Sequence, residues 1–320
     1  MLYIDKAHCL DIPLLSDTMN VFAVFDFDWS LINENSDTWV IEQLCPQLIP
    51  HMKEICKDPS NGYGPGQWTK VMDHMISLMM LEHKVTKQQL KECLQTIPIF
   101  DENIALLHKL HDLKIPMAIV SDANEYFIDA ILETLKINDY FSRVITNKSS
   151  FEMAKDGDGN EVEVLRVRPH QPVDAPHSCT LCPVNLCKGL VMNDLDCEYR
   201  FSNRRVVYVG DGGGDRCPCI ALLSRNISNA DANADPSLMN KVCCRKDWSL
   251  HKGVLKHFTR LQSLTPGTDA VQSVFTSNTM EMETHKAEEE HQHSMHKALQ
   301  HVHPWENGEQ LQDCIMHNLV

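Results

Sequence analysis

Two aspartates separated by one residue, Asp26 and Asp28, end an apolar run in VFAVFDFDWSLI, residues 21–32. Carboxylates spaced this way after a strand can project into one crevice, one as a nucleophile and the other as an acid/base beside a hard cation. Read alone, the pair is more often the polar loop that follows a buried strand. The rest of the chain decides between the two, because further reactive groups recur at matching places. Ser121 and Asp122 follow the apolar IPMAIV, Lys188 stands in CPVNLCKG, and Asp211 and Asp215 bracket three glycines in VGDGGGDRCP. Phosphoryl transfer needs such a set: a nucleophile, a hydroxyl and a cation to hold phosphate oxygens, and a metal to neutralise charge.

The elements that must position these groups follow from the apolar pattern. Val21 to Phe25 is a run of five apolar residues, as expected of a parallel strand covered on both faces. IPMAIV (115–120) and Arg205–Val209 read as two more such strands, and in an open α/β sheet ligands bind beyond the carboxyl ends of the strands. Between the first two strands the spacing predicts helices. Ser36 or Asp37 can cap a helix carrying Trp39, Val40 and Leu44, and Thr86 can cap KQQLKECL. The stripe Trp68, Val71, Met72, Met75, Leu78 and Met79 reads as core. The expected fold class is therefore α/β: a Rossmann-like core with a parallel sheet from residues 21–34 and 103–258, with a helical cap at 35–102 inserted after the first motif. Residues 1–20 form a lead-in. Residues 259–320, with seven histidines from residue 264 onward and few large apolar residues, read as a His-rich disordered tail.

Two other clusters invite metals. DGDGN, within 143–168, resembles part of a calcium loop but lacks its glutamate and reads as a turn between strands. His177, Cys179, Cys182 and Cys187 include a Cys-x-x-Cys pair that fits zinc, although a second well-spaced pair is missing and reduced thiols packing a loop are the preferred reading. The glycine-rich loop after Val209 lacks the Gly-Lys-Ser ending of an ATP cradle and suits magnesium carboxylates better.

Bulk composition narrows the classes. The 320 residues are 43% hydrophobic, enough for a sizeable core, and the net charge of −15 argues against nucleic acid or anionic lipid as partners. Thirteen scattered cysteines fit reduced thiols, no run reaches the length of a membrane span, and MLYIDKAHCLDIPLLSDTMN is a poor signal or transit peptide. The expectation is a cytoplasmic protein with no membrane or nucleic-acid partner.

With these motifs in order, the sequence resembles the haloacid dehalogenase (HAD) superfamily of aspartate-nucleophile phosphatases. DFDWSLINENSDTW, VSDAN, CPVNLCKG and VGDGGGDRCP look like the PHOSPHO-type branch, which acts on small phosphomonoesters. The resemblance implies Asp26 as nucleophile, phosphorylated during turnover, and Asp28 as general acid/base. It implies Ser121 and Lys188 as phosphate ligands and Mg²⁺ as cofactor. The metal would be held by Asp26, the Asp28 carbonyl and Asp211, with Asp215 as a ligand or just behind one. Asp37 and Asp122 match acidic positions near the substrate head group, where two carboxylates favour a cationic amine. Ser30 stands where threonine is usual, Trp29 where a smaller or polar residue is usual, and Gly214 where asparagine is common. The implied function is a Mg²⁺-dependent phosphatase for a small phosphorylated metabolite. Phosphoethanolamine, phosphocholine, pyridoxal 5′-phosphate, thiamine monophosphate and pyrophosphate are the candidates. The alternatives are a phosphotransferase using the same phosphoenzyme and a catalytically silent binding or metal-handling protein.

Overall fold

A computed structural model describes residues 20–57, 62–63, 66–172, 174–201, 204–228, 239–262 and 296–317. A seven-stranded sheet organises them. Its strands are β1 (Val21–Phe25), β2 (Met117–Asn124), β3 (Phe141–Lys155), β4 (Glu161–Arg168), β5 (Arg205–Gly210), β6 (Lys241–Arg245) and β7 (Val302–Trp305), in the order β4-β3-β2-β1-β5-β6-β7. All neighbouring pairs are parallel except β3 and β4, which form a hairpin around Asp156–Asn160. That hairpin is the expected pair of strands about DGDGN. Lys84, from outside the turn, forms an ion pair with Asp156 at 2.6 Å.

β1 lies at the middle of the sheet, with β2 on one side and β5 on the other. Every residue of β1 and β5 is buried, which is why these segments are apolar without alternation. Because the chain leaves β1 toward β2 and reaches β5 only later, the strand order reverses there and opens a crevice at the carboxyl edge. Apolar residues fill both faces of the sheet. One cluster carries Ala23, Phe25 and Ile119 with the helices of residues 36–94; the other carries Phe22, Val24 and Val120 with the helices that follow β4.

Between β1 and β2 the chain is helical: α1 (Ser36–Leu44), α2 (Ile49–Ile55), α3 (Trp68–Leu81), α4 (Lys87–Leu94) and α5 (Asp101–Asp112). One cap differs from expectation and one agrees. At α1 the cap is Asn35, whose Oδ1 accepts from Thr38 N–H, while Ser36 and Asp37 lie inside the first turn; at α4 Thr86 and Gln89 form a reciprocal capping box. Asn124 caps α6 (Glu125–Leu135) through Phe127 N–H. The later helices are α7 (Lys188–Tyr199), α8 (Arg216–Ser228), α9 (Ser249–Gln262) and α10 (Gly308–Met316). No described helix is long and apolar enough to cross a membrane.

The C-terminal region differs from the expected tail. Residues 259–262 complete α9, β7 pairs in parallel with β6, and Trp305, Leu311 and Ile315 are buried, while residues 263–295 lie outside the described residues. The correction has a simple cause. The buried large apolar residues of this region are concentrated in β7 and the helix Gly308–Met316, and averaging over 259–320 dilutes them with Glu, Gln and His. β6 carries no strand signal in the sequence either, because KVCCR is short and charged at both ends.

Candidate active site

The loops that follow β1 and β5 meet the last residues of β2, Ser121–Asn124, at the carboxyl edge. Asp26 N–H donates to Val209 O at 2.8 Å, so the backbone of the first aspartate still belongs to the sheet. Its Oδ1 accepts from Phe27 N–H at 2.8 Å and lies 2.8 Å from Lys188 Nζ. Lys188 is the first residue of α7 and only 1% exposed, and its ammonium also donates to Asp215 Oδ1 at 2.7 Å. One buried cation therefore joins the β1 loop to the β5 loop.

Asp215 is fully buried and saturated with donors. Its Oδ1 accepts from Lys188 and from Tyr208 Oη at 2.8 Å; its Oδ2 accepts from Gly212 N–H at 2.9 Å and Asp211 N–H at 3.2 Å. It fixes the glycine loop and the lysine together. Asp211 is freer: its Oδ1 accepts from Ser30 Oγ at 3.2 Å, so the serine in place of threonine keeps its hydroxyl in use.

Oxygens of Asp26, Asp211 and Asp215 lie within 4.8 Å of one another. Burial, with the charge of Asp215, raises the Asp26 carboxyl well above the ordinary range and Asp211 to about 7. Three buried carboxylates against one lysine leave excess negative charge, and an all-oxygen donor set fits a hard divalent cation such as Mg²⁺. Asp28 Oδ1 accepts from Ser36 N–H at 3.0 Å, and burial followed by the charge of Asp37 raises its carboxyl to about 8. A carboxyl that keeps its proton near neutrality can act as a general acid.

A cavity of about 170 Å³ opens over these groups, lined by Asp26, Asp28, Ser121 and Asp211. Its remaining wall is Trp29, Asn35, Asp37, Trp68, Asp122 and Ala123. Of the eight residues the sequence assigns to the phosphatase site, six line this cavity, while Lys188 and Asp215 are not on its wall: Lys188 reaches it through Asp26, and Asp215 through Lys188. Ser121 is 1% exposed and accepts from Ala123 N–H at 3.1 Å, which leaves its own O–H to donate. Asp122 Oδ1 accepts from Asn185 Nδ2 at 2.8 Å. Asp37 Oδ2 accepts from Trp68 Nε1 at 2.7 Å, while its Oδ1 is buried with no hydrogen-bond partner among the described residues. Burial raises the carboxyls of Asp37, to about 7, and Asp122. A larger cavity, about 280 Å³, lies against Gln67, Thr69 and Pro172, and no residue of the acidic cluster lines it.

Several contributors escape sequence reading. Trp68 falls on the apolar stripe of α3, and nothing in that stripe separates a cavity wall from a core residue. Tyr208 sits within an apolar strand, and Asn185 within the motif of Lys188. Arg245, at the end of β6, donates to Trp29 O at 2.9 Å and Asn33 Oδ1 at 2.6 Å, and its guanidinium lies 4.7–5.3 Å from the rings of Trp29, Trp248 and Trp305. Trp29 has a left-handed backbone, φ 57°, and this clamp accounts for how a bulky residue is held in that conformation. At Gly214 an added Cβ would stand 2.9 Å from Asp122 Oδ2, so here the Asp122 carboxylate takes the space of the asparagine side chain common in the family.

The family model described as Putative Phosphatase matches residues 21–273. A thiamine phosphate phosphatase-like protein of Arabidopsis thaliana is 36% identical over 205 residues, covering 63% of this chain and 76% of the relative. Inorganic pyrophosphatase 2 of Arabidopsis thaliana is 33% identical over 215 residues, covering 65% and 69%. Pyridoxal phosphate phosphatase PHOSPHO2 of Mus musculus is 34% identical over 213 residues, covering 65% and 80%.

Proposed function

We propose, from the premise that this chain belongs to the Putative Phosphatase family, the PHOSPHO branch of the HAD phosphatases, that it hydrolyses a small phosphomonoester with Mg²⁺ and a phosphorylated Asp26. The chain is a phosphoric monoester hydrolase; the metal, the residue roles and the substrate are the proposal. The observation that carries it is the Lys188 ammonium 2.8 Å from Asp26 and 2.7 Å from Asp215, beside Asp211.

Oδ1 of Asp26 is engaged by Lys188 and by Phe27 N–H, which leaves Oδ2 to attack phosphorus. The Ser121 hydroxyl and the third proton of Lys188 hold phosphate oxygens. Asp28, protonated at the start, donates to the departing alcohol and then takes a proton from the water that hydrolyses the acyl phosphate. Asp26, Asp211 and the Asp28 carbonyl would hold Mg²⁺, with Asp215 behind them; the metal, when bound, offsets charge on the phosphoryl oxygens.

The head-group end of the cavity combines Asp37, Asp122 and the Trp68 indole. Carboxylates beside an aromatic ring suit a cationic leaving group such as ethanolamine or choline. The names of the relatives favour a second reading, in which pyridoxal 5′-phosphate, thiamine monophosphate or pyrophosphate is the substrate. The test measures phosphate release from all five compounds with Mg²⁺ and with EDTA, with Asp26→Asn as control. Hydrolysis that needs both Mg²⁺ and Asp26, with the highest kcat/KM for an amine phosphate, is the expected result. Equal rates in all three conditions would rule out the mechanism.

A further inference from the structure

Behind the acidic cluster, the fold gathers four thiols from two distant segments. Cys179, Cys182 and Cys187 lie on the segment before α7, and Cys217 is the second residue of α8. Their sulfurs all lie within 4.8 Å of one another, with Cys179 Sγ 3.6 Å from Cys217 Sγ, and all four are free of disulfides. Tetrahedral zinc with four thiolates has Zn–S distances of about 2.3 Å, which sets sulfur–sulfur edges of roughly 3.8 Å. The cluster therefore already has nearly the dimensions of a mononuclear tetrahedral site. It is too tight for a two-iron cluster, whose thiolates bind opposite irons.

The surroundings fit a metal better than thiols packing a loop. Leu181 N–H points at Cys179 Sγ, 3.4 Å away, as donors do around metal-bound thiolates. At Gly189 an added Cβ would stand 2.4 Å from Cys217 Sγ, so only glycine lets the first turn of α7 come this close. His177 stands outside the cluster: neither ring nitrogen lies within 4.8 Å of all the sulfurs, and Nε2 is 2.8 Å from Pro183 O. The fourth ligand is Cys217, which lies thirty residues beyond Cys187 in sequence.

We propose that Cys179, Cys182, Cys187 and Cys217 bind one structural zinc ion, separate from the Mg²⁺ site. All four coordination positions come from the protein, so the ion takes no part in the chemistry. Its role is positional. Cys187 immediately precedes Lys188, and Cys217 follows Asp215 by two residues, so the zinc fastens together the two chain segments whose side chains meet in the buried ion pair.

The test is zinc content of the full-length protein purified without chelators, by elemental analysis. One zinc per chain is expected, falling at least fivefold in Cys217→Ser and unchanged in Cys56→Ser, whose thiol lies elsewhere. Cobalt exchanged into the folded protein should show the intense visible bands of a tetrahedral tetrathiolate, and Cys182→His should retain the metal, which guards against Cys217→Ser simply misfolding. Zinc below a tenth of an equivalent, zinc unchanged in Cys217→Ser, a disulfide among the four, or an equivalent of iron instead would each overturn the assignment.

Discussion

The indole N–H of Trp68 donates to Asp37 Oδ2 at 2.7 Å, joining α3 to α1 across the mouth of the cavity. A helix that follows the first motif thus orients a carboxylate of the head-group end, and the other Asp37 oxygen makes no hydrogen bond among the described residues, although the Asn124 side chain is near enough to favour its charge. A buried acceptor in this state suits a ligand donor.

If Asp37 holds a cationic head group, Asp37→Asn should raise KM for phosphoethanolamine about 10- to 100-fold, the worth of one charged hydrogen bond to its ammonium, and change KM for a neutral alkyl phosphate by less than about 3-fold. Burial raises the Asp37 carboxyl to about 7, so the group gains charge as pH rises through that value. KM for the cationic substrate should fall from pH 6 to pH 8 in the parent protein and lose that slope in Asp37→Asn. A uniform loss for both substrate types would discredit the head-group role.

Stability should depend on pH and metal together. Asp28 and Asp211 titrate near 8 and 7 in the folded protein, against about 3.9 when unfolded. The folded state therefore holds more protons than the unfolded state between these values, and metal-free stability falls as pH rises through them. Mg²⁺ binds the ionised carboxylates, so it should raise Tm more at pH 8 than at pH 5. Thermal unfolding with EDTA or Mg²⁺ at both pH values checks this; the same increment at each would contradict it.

Lys188→Met should abolish turnover and destabilise the fold by about 3–5 kcal/mol, because Asp26 and Asp215 would remain buried without a counter-charge. Urea unfolding of the metal-free protein measures the second effect independently of activity. Asp215→Asn, which leaves Lys188 its Asp26 partner, should cost less.

Arg245→Lys should lower kcat several-fold and destabilise by about 1–2 kcal/mol. The ammonium cannot stack on three indoles while donating to both Trp29 O and Asn33 Oδ1. The readout is kcat against KM: the expected loss falls on kcat, because Trp29 adjoins Asp28.

Trp305→Ala should cost about 3–5 kcal/mol, as expected for a large buried side chain. Urea unfolding of the full chain measures it. A change below about 1 kcal/mol would mean that the C-terminal strand does not brace the sheet.

Much of the site is legible in the linear chain because each reactive group follows an apolar strand. Asp26, Ser121 and Asp211 are marked by VFAVF, IPMAIV and RVVYV, and strand ends are where an open parallel sheet keeps its crevice. Asn124 and Thr86 announce their helices for an equally local reason, since a cap bonds to an amide three residues away. Trp305 and β6 are not legible in this way. β6 is five residues with a charge at each end and β7 is four residues with His and Pro in the middle, so neither has a periodicity of its own and only its neighbour in the sheet stabilises it.

By itself the sequence determined which chemical groups exist and which strand or helix carries each, because those depend on residues within a few positions. Tertiary structure alone decided that Lys188 reaches both Asp26 and Asp215, that Trp68 reaches Asp37 from the edge of the core, that Asp122 fills the space beside Gly214, and that Cys217 joins Cys179, Cys182 and Cys187. These meetings join residues 27 to 162 positions apart. The sheet order β4-β3-β2-β1-β5-β6-β7 sets them by burying both faces of β1 and β5 at once, and no local pattern encodes that packing.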